Sequence, residues 1–422
     1  MHYIPRLLDE KLAWLVGHLP AVVIDGAKSV GKTASAQRLA QTVFELDQTP
    51  VRETLLSSPR LLEESAPPVL VDEWQRAPEI WDRLRRAVDA DDERSHFMLT
   101  GSAYPLDASL HSGAGRIVHL RLRPFSLSER GLGTSTVSLN ALLESSDVSV
   151  VGQTDLESID YLHEILKSGF PAIHRQAPTI AGVRLDGYLD DIVERRVPEQ
   201  GVEIRKPQTL RNWLRAYAAA TASTASYETI LNGATPGEDN KPAKRTTLIY
   251  RDVLASLWLI DQIDPWLPMN TTFAYLGRSP KHHLVDPGLA ARLLGLTEKN
   301  LLKSSEGTVL GPQKKSLFGR LFESLIAQSL QTYCLVCDAK LYHLRTSTGA
   351  HEIDFIVERG RDIVAIEVKF AATVEGKEMQ HLQWLERQFP EYRVTKALVN
   401  VGARAYTRDD GIHVIPAALF GP

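Results

Sequence analysis

At 422 residues, with 43% hydrophobic and 24% charged side chains, the chain exceeds one ordinary hydrophobic core and is expected to form two or three globular domains. No apolar run is long enough to span a bilayer, and the N-terminal MHYIPRLLDEKLAWLV lacks the basic, apolar and small-residue succession of a signal peptide, so a cytoplasmic protein without a membrane partner is expected. A net charge of -4 excludes nucleic-acid binding driven by overall charge, leaving only local patches for it.

Ala21 to Asp25 reads as a strand, and Gly26-Ala27-Lys28-Ser29-Val30-Gly31-Lys32-Thr33 matches G-x-x-x-x-G-K-[ST] at every fixed position, with helical sequence following to Leu39. Gly26 and Gly31 let the backbone curl around an anion with its N–H groups inward, and the positive end of the helix adds to the attraction. Lys32 would reach the β- and γ-phosphates and Thr33 would coordinate Mg2+, so ATP with Mg2+ is the expected ligand. A glycine turn without a ligand is the plain alternative, and the strand and helix on either side argue against it.

Thr42 to Asp47 reads as a second strand and Leu55 to Glu64 as a helix. The apolar run Val69-Leu70-Val71 then leads directly into Asp72-Glu73, as a buried parallel strand ending at a phosphate site would. Asp72 would hold the Mg2+ shell and Glu73 would polarise the attacking water. Pro78 to Ala90 has helical spacing with proline at the first position, and His96 to Thr100 is a further strand. It ends in Thr100-Gly101-Ser102, where Thr100 or Ser102 is a γ-phosphate sensor candidate, with a capping turn as the alternative. Gly113-Ala114-Gly115-Arg116 leads into the strand Ile117 to Leu122, and Arg116 is a candidate arginine finger or phosphate sensor.

These residues resemble a family: the prokaryotic AAA-type P-loop ATPases that carry a C-terminal domain of unknown function with a restriction-endonuclease-like signature. The likeness rests on GAKSVGKT, VLVDEWQRAPEIWDRLRRAVD, LTGSA, GRIVHLRLRPFSLSE, KSGFPAIH, YLDDIVERRVPE and HHLVDPGLAARLLG, in that order. It implies an α/β protein with a five-stranded parallel ATPase core, a helical and winged-helix-like middle that could touch DNA, and an α/β nuclease-like end.

On this reading residues 1–130 are the ATPase core. Residues 131–158, rich in Ser, Thr and small side chains, form a linker or mobile loop, and 159–302 the middle region. The clearest helices there are RNWLRAYAAATAS and TTLIYRDVLASLWLIDQI, separated by the polar excursion Gly233 to Arg245. Arg195, Arg196, Arg205 and Lys206 lie among Asp190, Asp191, Glu194 and Glu203, a mixture that fits a structural or oligomerising role at least as well as DNA binding. Residues 303–422 form the last domain. Cys334 and Cys337 have no second ligand pair and read as buried thiols.

In the last domain, HEIDFIVE and IVAIEVKF flank the hairpin-length loop Arg359-Gly360-Arg361-Asp362. Symmetric pairing sets Glu358 against Ile363, Asp354 against Glu367 and Glu352 against Lys369. Alternation then gives one apolar face (Ile353, Phe355, Val357, Val364, Ile366, Val368) and one face gathering Glu352, Asp354, Glu367 and Lys369. Facing carboxylates need a cation, and D-x(12)-E-x-K is the PD-(D/E)XK nuclease signature, in which Asp354 and Glu367 bind Mg2+ or Mn2+, Lys369 activates water, and Glu323 from the preceding helix is an auxiliary ligand. A surface hairpin with a Glu352–Lys369 salt bridge is the plain alternative. The expectation is an oligomeric ATPase joined to a metal-dependent nuclease acting on nucleic acid, DNA rather than RNA. The rival is a nucleotide-dependent switch of defence or toxin-antitoxin type whose nuclease fold only binds DNA or a protein.

Overall fold

The computed structural model describes residues 3–58, 60–90, 96–103, 116–204, 206–234, 244–268, 279–299, 312–346, 349–373 and 379–422. Residues 235–243 of the expected excursion Gly233 to Arg245, and Gly113 to Gly115, lie outside them. Among the described residues, β1 (Ala21–Asp25), β2 (Thr42–Glu45), β3 (Val69–Asp72), β4 (Phe97–Gly101) and β5 (Ile117–Arg121) form a parallel sheet in the order β2-β3-β4-β1-β5. Both faces are covered, which is why the central strands read as continuous apolar runs. Val22, Ile24, Leu70, Met98 and Leu120 enter one core with α1 (Asp9–His18) and α2 (Lys32–Gln37). Val23, Val71 and Leu99 enter the other, under α3 (Thr49–Ser57), α4 (Leu61–Glu64) and α5 (Glu79–Ala90). The single helix expected from Leu55 to Glu64 is divided: Pro59 disfavours helical backbone before it, and Ser58 takes φ -123, ψ 76.

The segment expected as a linker is instead built into the last domain. It carries β6 (Val137–Ser138), α6 (Leu139–Glu144) and β7 (Gly152–Gln153). Leu139, Leu142 and Leu143 are buried, because the leucines at helical spacing outweigh the small polar residues around them. The middle region comprises α7 (Ser158–Lys167), α8 (Pro171–His174), α9 (Pro178–Asp191), a π-turn at Ile192–Arg196, α10 (Val197–Glu199), α11 (Pro207–Ala219), α12 (Tyr227–Ala234), α13 (Lys244–Ser256) and α14 (Pro287–Leu293). The helix expected through Ile263 stops at Ser256; Trp258 turns left-handed (φ 60), and Ile260 and Ile263 bridge antiparallel to Leu284 and Lys281.

The C-terminal part begins with α15 (Pro312–Val336), followed by β8 (Lys340–Arg345), β9 (Glu352–Arg359), β10 (Asp362–Lys369), α16 (Gln380–Gln388), β11 (Arg393–Asn400), β12 (Arg404–Thr407), β13 (His413–Pro416) and β14 (Phe420–Gly421). Its mixed sheet runs β7-β12-β13-β11-β10-β9-β8, and β14 pairs with β6. One buried cluster continues from Leu8 through Trp213, Phe322 and Ile366 to Phe420, so the three parts share a core. Cys334 and Cys337 are free and buried within it or at its edge. No helix among the described residues is long and apolar enough to cross a membrane.

Candidate functional site

β1 lies between β4 and β5, so the carboxyl end of the sheet opens a crevice where the strand order reverses, the place where open α/β sheets hold ligands. The Gly26–Thr33 loop leaves β1 there. A Cβ on Gly26 would lie 2.2 Å from the Leu122 carbonyl oxygen, and Gly31 takes φ 100, so both fixed glycines are required sterically. Lys32 is buried, and its Nζ donates to the carbonyls of Gly26 and Ala27, each at 2.9 Å. Burial lowers its pKa to about 8, partly offset by Glu73 and Asp72. Asp72 Oδ1 accepts from Thr33 Oγ1 at 2.8 Å and also from Thr100 Oγ1. Burial raises the Asp72 carboxyl, with those two hydroxyls opposing. A hydroxyl and a carboxylate converging beside a phosphate loop are hard oxygen donors suited to Mg2+, and the ammonium parked on loop carbonyls is free to move to a phosphate, so these residues fit MgATP.

Glu73 follows β3 in a left-handed conformation (φ 55), which costs roughly 1–3 kcal/mol for a non-glycine residue and recurs at functional sites. Ser102 Oγ donates to Glu73 Oε2 at 3.1 Å, and Gln75 Nε2 donates to the same carboxylate. The structure therefore separates the two sensor candidates: Thr100 touches Asp72, Ser102 touches Glu73.

Sequence reading missed Arg196 at this site. The π-turn after α9 carries it in, and its Nη2 donates to Ser102 Oγ at 2.6 Å. Tyr188 OH reaches the Lys28 carbonyl at 3.2 Å, and Asp191 lies 3.6 Å from Lys28 Nζ. From the other side Arg6 donates to the Val30 carbonyl (2.9 Å) and, through Nε, to Glu129 (2.9 Å). Tyr3, Arg6, Phe125, Pro171 and Arg175 line a cavity of about 410 Å3 that opens onto Lys32 and Thr33. None of these had a local signal; YLDDIVERRVPE shows Arg196 only as one of several mixed charges.

Arg116 is exposed and pairs with Asp89. It precedes Ile117, which pairs with Ala21 at the start of β1, whereas the loop follows Asp25. The register puts it at the far end of the sheet, so a phosphate-sensing role within one chain is corrected. The arginines at the near end are Arg121 and Arg123. They clamp the buried Asp261 at 3.0 and 2.6 Å, and Arg123 also donates to Gln331 on α15, so one ionic joint ties ATPase sheet, middle region and C-terminal helix. Despite burial, the two guanidiniums hold the Asp261 carboxyl at about 2.

In the last domain Ile363 pairs with Glu358 and Ile366 with Phe355, in the expected register around a turn at Gly360 (φ 67). The expected faces fail at one point. β8 advances from Tyr342 to Leu344 while β9 runs from Ile356 to Ile353, a bulge that puts an extra residue in β9. Ile353 thus joins Ile356, Ile363 and Ala365 under α16 rather than Phe355 and Val357. Asp354 sits in the irregular stretch, and its Oδ2 accepts from the Val368 N–H at 3.0 Å. Glu352 lies 3.8 Å from Arg345, the cross-strand partner on β8, instead of pairing with Lys369.

Lys281, which sequence reading also missed, donates to Glu323 Oε1 (2.8 Å) and Asp354 Oδ1 (3.2 Å), while Lys369 Nζ lies 3.3 Å from Glu367 Oε2. Burial and Asp354 push the Glu323 carboxyl up to about 8 and raise that of Glu367; Lys281 and Lys369 hold Asp354 below the usual range against burial. The structure thus brings the four expected residues into one neighbourhood but does not arrange them for a divalent ion. Among the described residues no group of three or more His, Cys, Asp or Glu side chains is placed to hold a metal.

Comparison with known proteins agrees with the first site. Residues 18–131 match the family model of an AAA domain, 159–300 a domain of unknown function (DUF8612) and 318–420 another (DUF4143). The N-terminal part is accordingly a P-loop ATPase domain of the AAA type. The chain is 24% identical over 408 residues to uncharacterized proteins Rv2008c of Mycobacterium tuberculosis and Mb2031c of Mycobacterium bovis, covering 94% of this chain and 80% of each relative. Among solved structures it is similar to the Walker-type ATPase paby2304 of Pyrococcus abyssi (14% identity, 68% of this chain and 94% of that one, TM-score 0.40). It is also similar to the Aeropyrum pernix ORC2 protein (18%, 72% and 96%, TM-score 0.30).

Proposed function

We propose that the chain is an ATP-driven switch in which hydrolysis at Lys32, Thr33, Asp72 and Glu73 changes how the middle region seats on the P-loop. The observation that carries this is the Arg196–Ser102 hydrogen bond, which places a middle-region guanidinium one residue from the carboxylate that would activate water. Lys32 exchanges the loop carbonyls for the β- and γ-phosphates. Thr33 and Asp72 would hold Mg2+, which would supply charge neutralisation at the phosphates. Glu73 orients and polarises the water, and Arg196 leaves Ser102 for the charge that develops on the transferred group. The shared core and the Asp261 joint give that movement a route to the C-terminal sheet.

Lys32→Ala should weaken ATP binding and abolish turnover, whereas Glu73→Gln should retain ATP and stop turnover. Wild-type hydrolysis in both would defeat the assignment. In an oligomer Arg116 would act on a neighbouring subunit's nucleotide; Arg116→Ala mixed with Lys32→Ala subunits should then recover some activity.

The C-terminal domain is read as a module that binds nucleic acid, DNA before RNA, or a protein partner. Cleavage is the second reading, favoured by the Val368 N–H bond to Asp354 and the Lys369–Glu367 contact, which keep these three side chains close to one another. Cleavage of DNA or RNA that Glu367→Gln removes would decide for it.

A further inference from the structure

The acidic cluster at the end of the hairpin already has a protein cation. Lys281 reaches it from the middle region on a short extended segment. Its backbone exchanges hydrogen bonds with Ile263 (2.8 and 3.0 Å), and Trp266, three residues on from Ile263, donates to the His343 carbonyl of β8 at 2.7 Å. The lysine therefore rides on an extension of the C-terminal sheet. Its side chain is 1% exposed, and Nζ lies 5.5 Å from the centre of the Phe355 ring. A charge so buried persists only when paired, and its partners are the helix carboxylate Glu323 and the hairpin carboxylate Asp354. A bridging divalent ion would need those same oxygens. Two further oxygens are engaged too: Asp354 Oδ2 accepts from the Val368 N–H and Glu367 Oε2 from Lys369.

We infer that Lys281 is the resident cation of the Glu323–Asp354 pair, and that a divalent ion binds there only when Lys281 is withdrawn with its segment. A second cation on the same two carboxylate oxygens would be repelled by the ammonium at contact distance. The middle region thus seals the C-terminal cluster, and any metal-dependent chemistry there requires it to undock. This goes beyond the ATPase reading and does not depend on it.

The test uses the full chain without nucleotide, titrated with Mn2+ while free ion is followed by electron paramagnetic resonance. Wild type and Lys281→Arg should show no saturable site that depends on Asp354. Lys281→Met should gain one, tighter by about tenfold or more, the scale expected for removing a contacting like charge. Lys281→Met/Asp354→Asn should lose it again. If Lys281→Met does not fold, Lys281→Gln, which keeps an uncharged hydrogen-bond donor for both carboxylates, takes its place and should show the same gain. An Asp354-dependent site in wild type as tight as in the lysine variants overturns the inference. So does a folded lysine variant without a site. ATP turnover of the same preparations reports the P-loop separately, so either reading can fail alone.

Discussion

Arg196 and Ser102 stand 94 positions apart and meet through a 2.6 Å hydrogen bond, with Ser102 in turn donating to Glu73. The middle region thereby ends in the catalytic crevice of the ATPase sheet.

Arg196→Ala should lower the turnover number by ten- to a thousandfold, below the range for a full arginine finger because the side chain also serves Glu199. Steady-state hydrolysis and ATP affinity, measured together, check this. A turnover number equal to wild type would make the arginine purely structural.

ATP binding should weaken as pH rises through about 8. Burial lowers the Lys32 pKa to about 8 in the free protein, so the charged form that meets the phosphates is present below that pH and lost above it. Binding above it must take up a proton, and affinity falls by up to about tenfold per pH unit. Fluorescent ATP titrations from neutral to alkaline pH read the slope, and a flat profile would refute it.

Asp261→Asn should destabilise the chain by about 3–5 kcal/mol, because it leaves two buried guanidiniums without their anion. The carboxyl is held at about 2, below its unfolded value, so this stability is present above the unfolded pKa and lost as pH falls through the folded one. Urea unfolding at neutral pH measures the cost. A change under about 0.5 kcal/mol, the ordinary surface range, would mean the joint carries no net stabilisation.

Two neighbouring acids should behave oppositely. Asp354→Asn leaves Lys281 with one partner and should destabilise the fold, since Asp354 is held ionised by that lysine and Lys369. Glu367→Gln should cost little, because burial and Asp354 raise its carboxyl and favour the neutral form that glutamine imitates. Thermal melts in chelator distinguish them, and equal shifts would contradict this charge assignment.

Most of the ATPase site was legible because its residues are local. Gly26 to Thr33 follow one strand, Asp72 and Glu73 close a second and Thr100 and Ser102 a third, so apolar runs ending in polar residues mark the crevice. The hairpin register was legible for the same reason: a two-residue turn at Gly360-Arg361 fixes which residues face each other.

What local pattern could not carry was decided by contacts between distant segments. The leucines of α6 look like part of a polar linker until the C-terminal sheet covers them. The bulge beside Asp354 lies in β9 where it pairs with β8, and it reverses Ile353 against simple alternation. Arg196 and Lys281 are each one basic residue among many in the sequence, and only packing brings one to Ser102 and the other, across 73 positions, to Asp354. The sequence by itself determined the parallel sheet, the phosphate loop and the set of acids, since each depends on neighbours within one element. The tertiary structure alone decided which cation meets which acid, because a buried charge takes the partner that folding places beside it, and that placement is written in the whole core rather than in any motif.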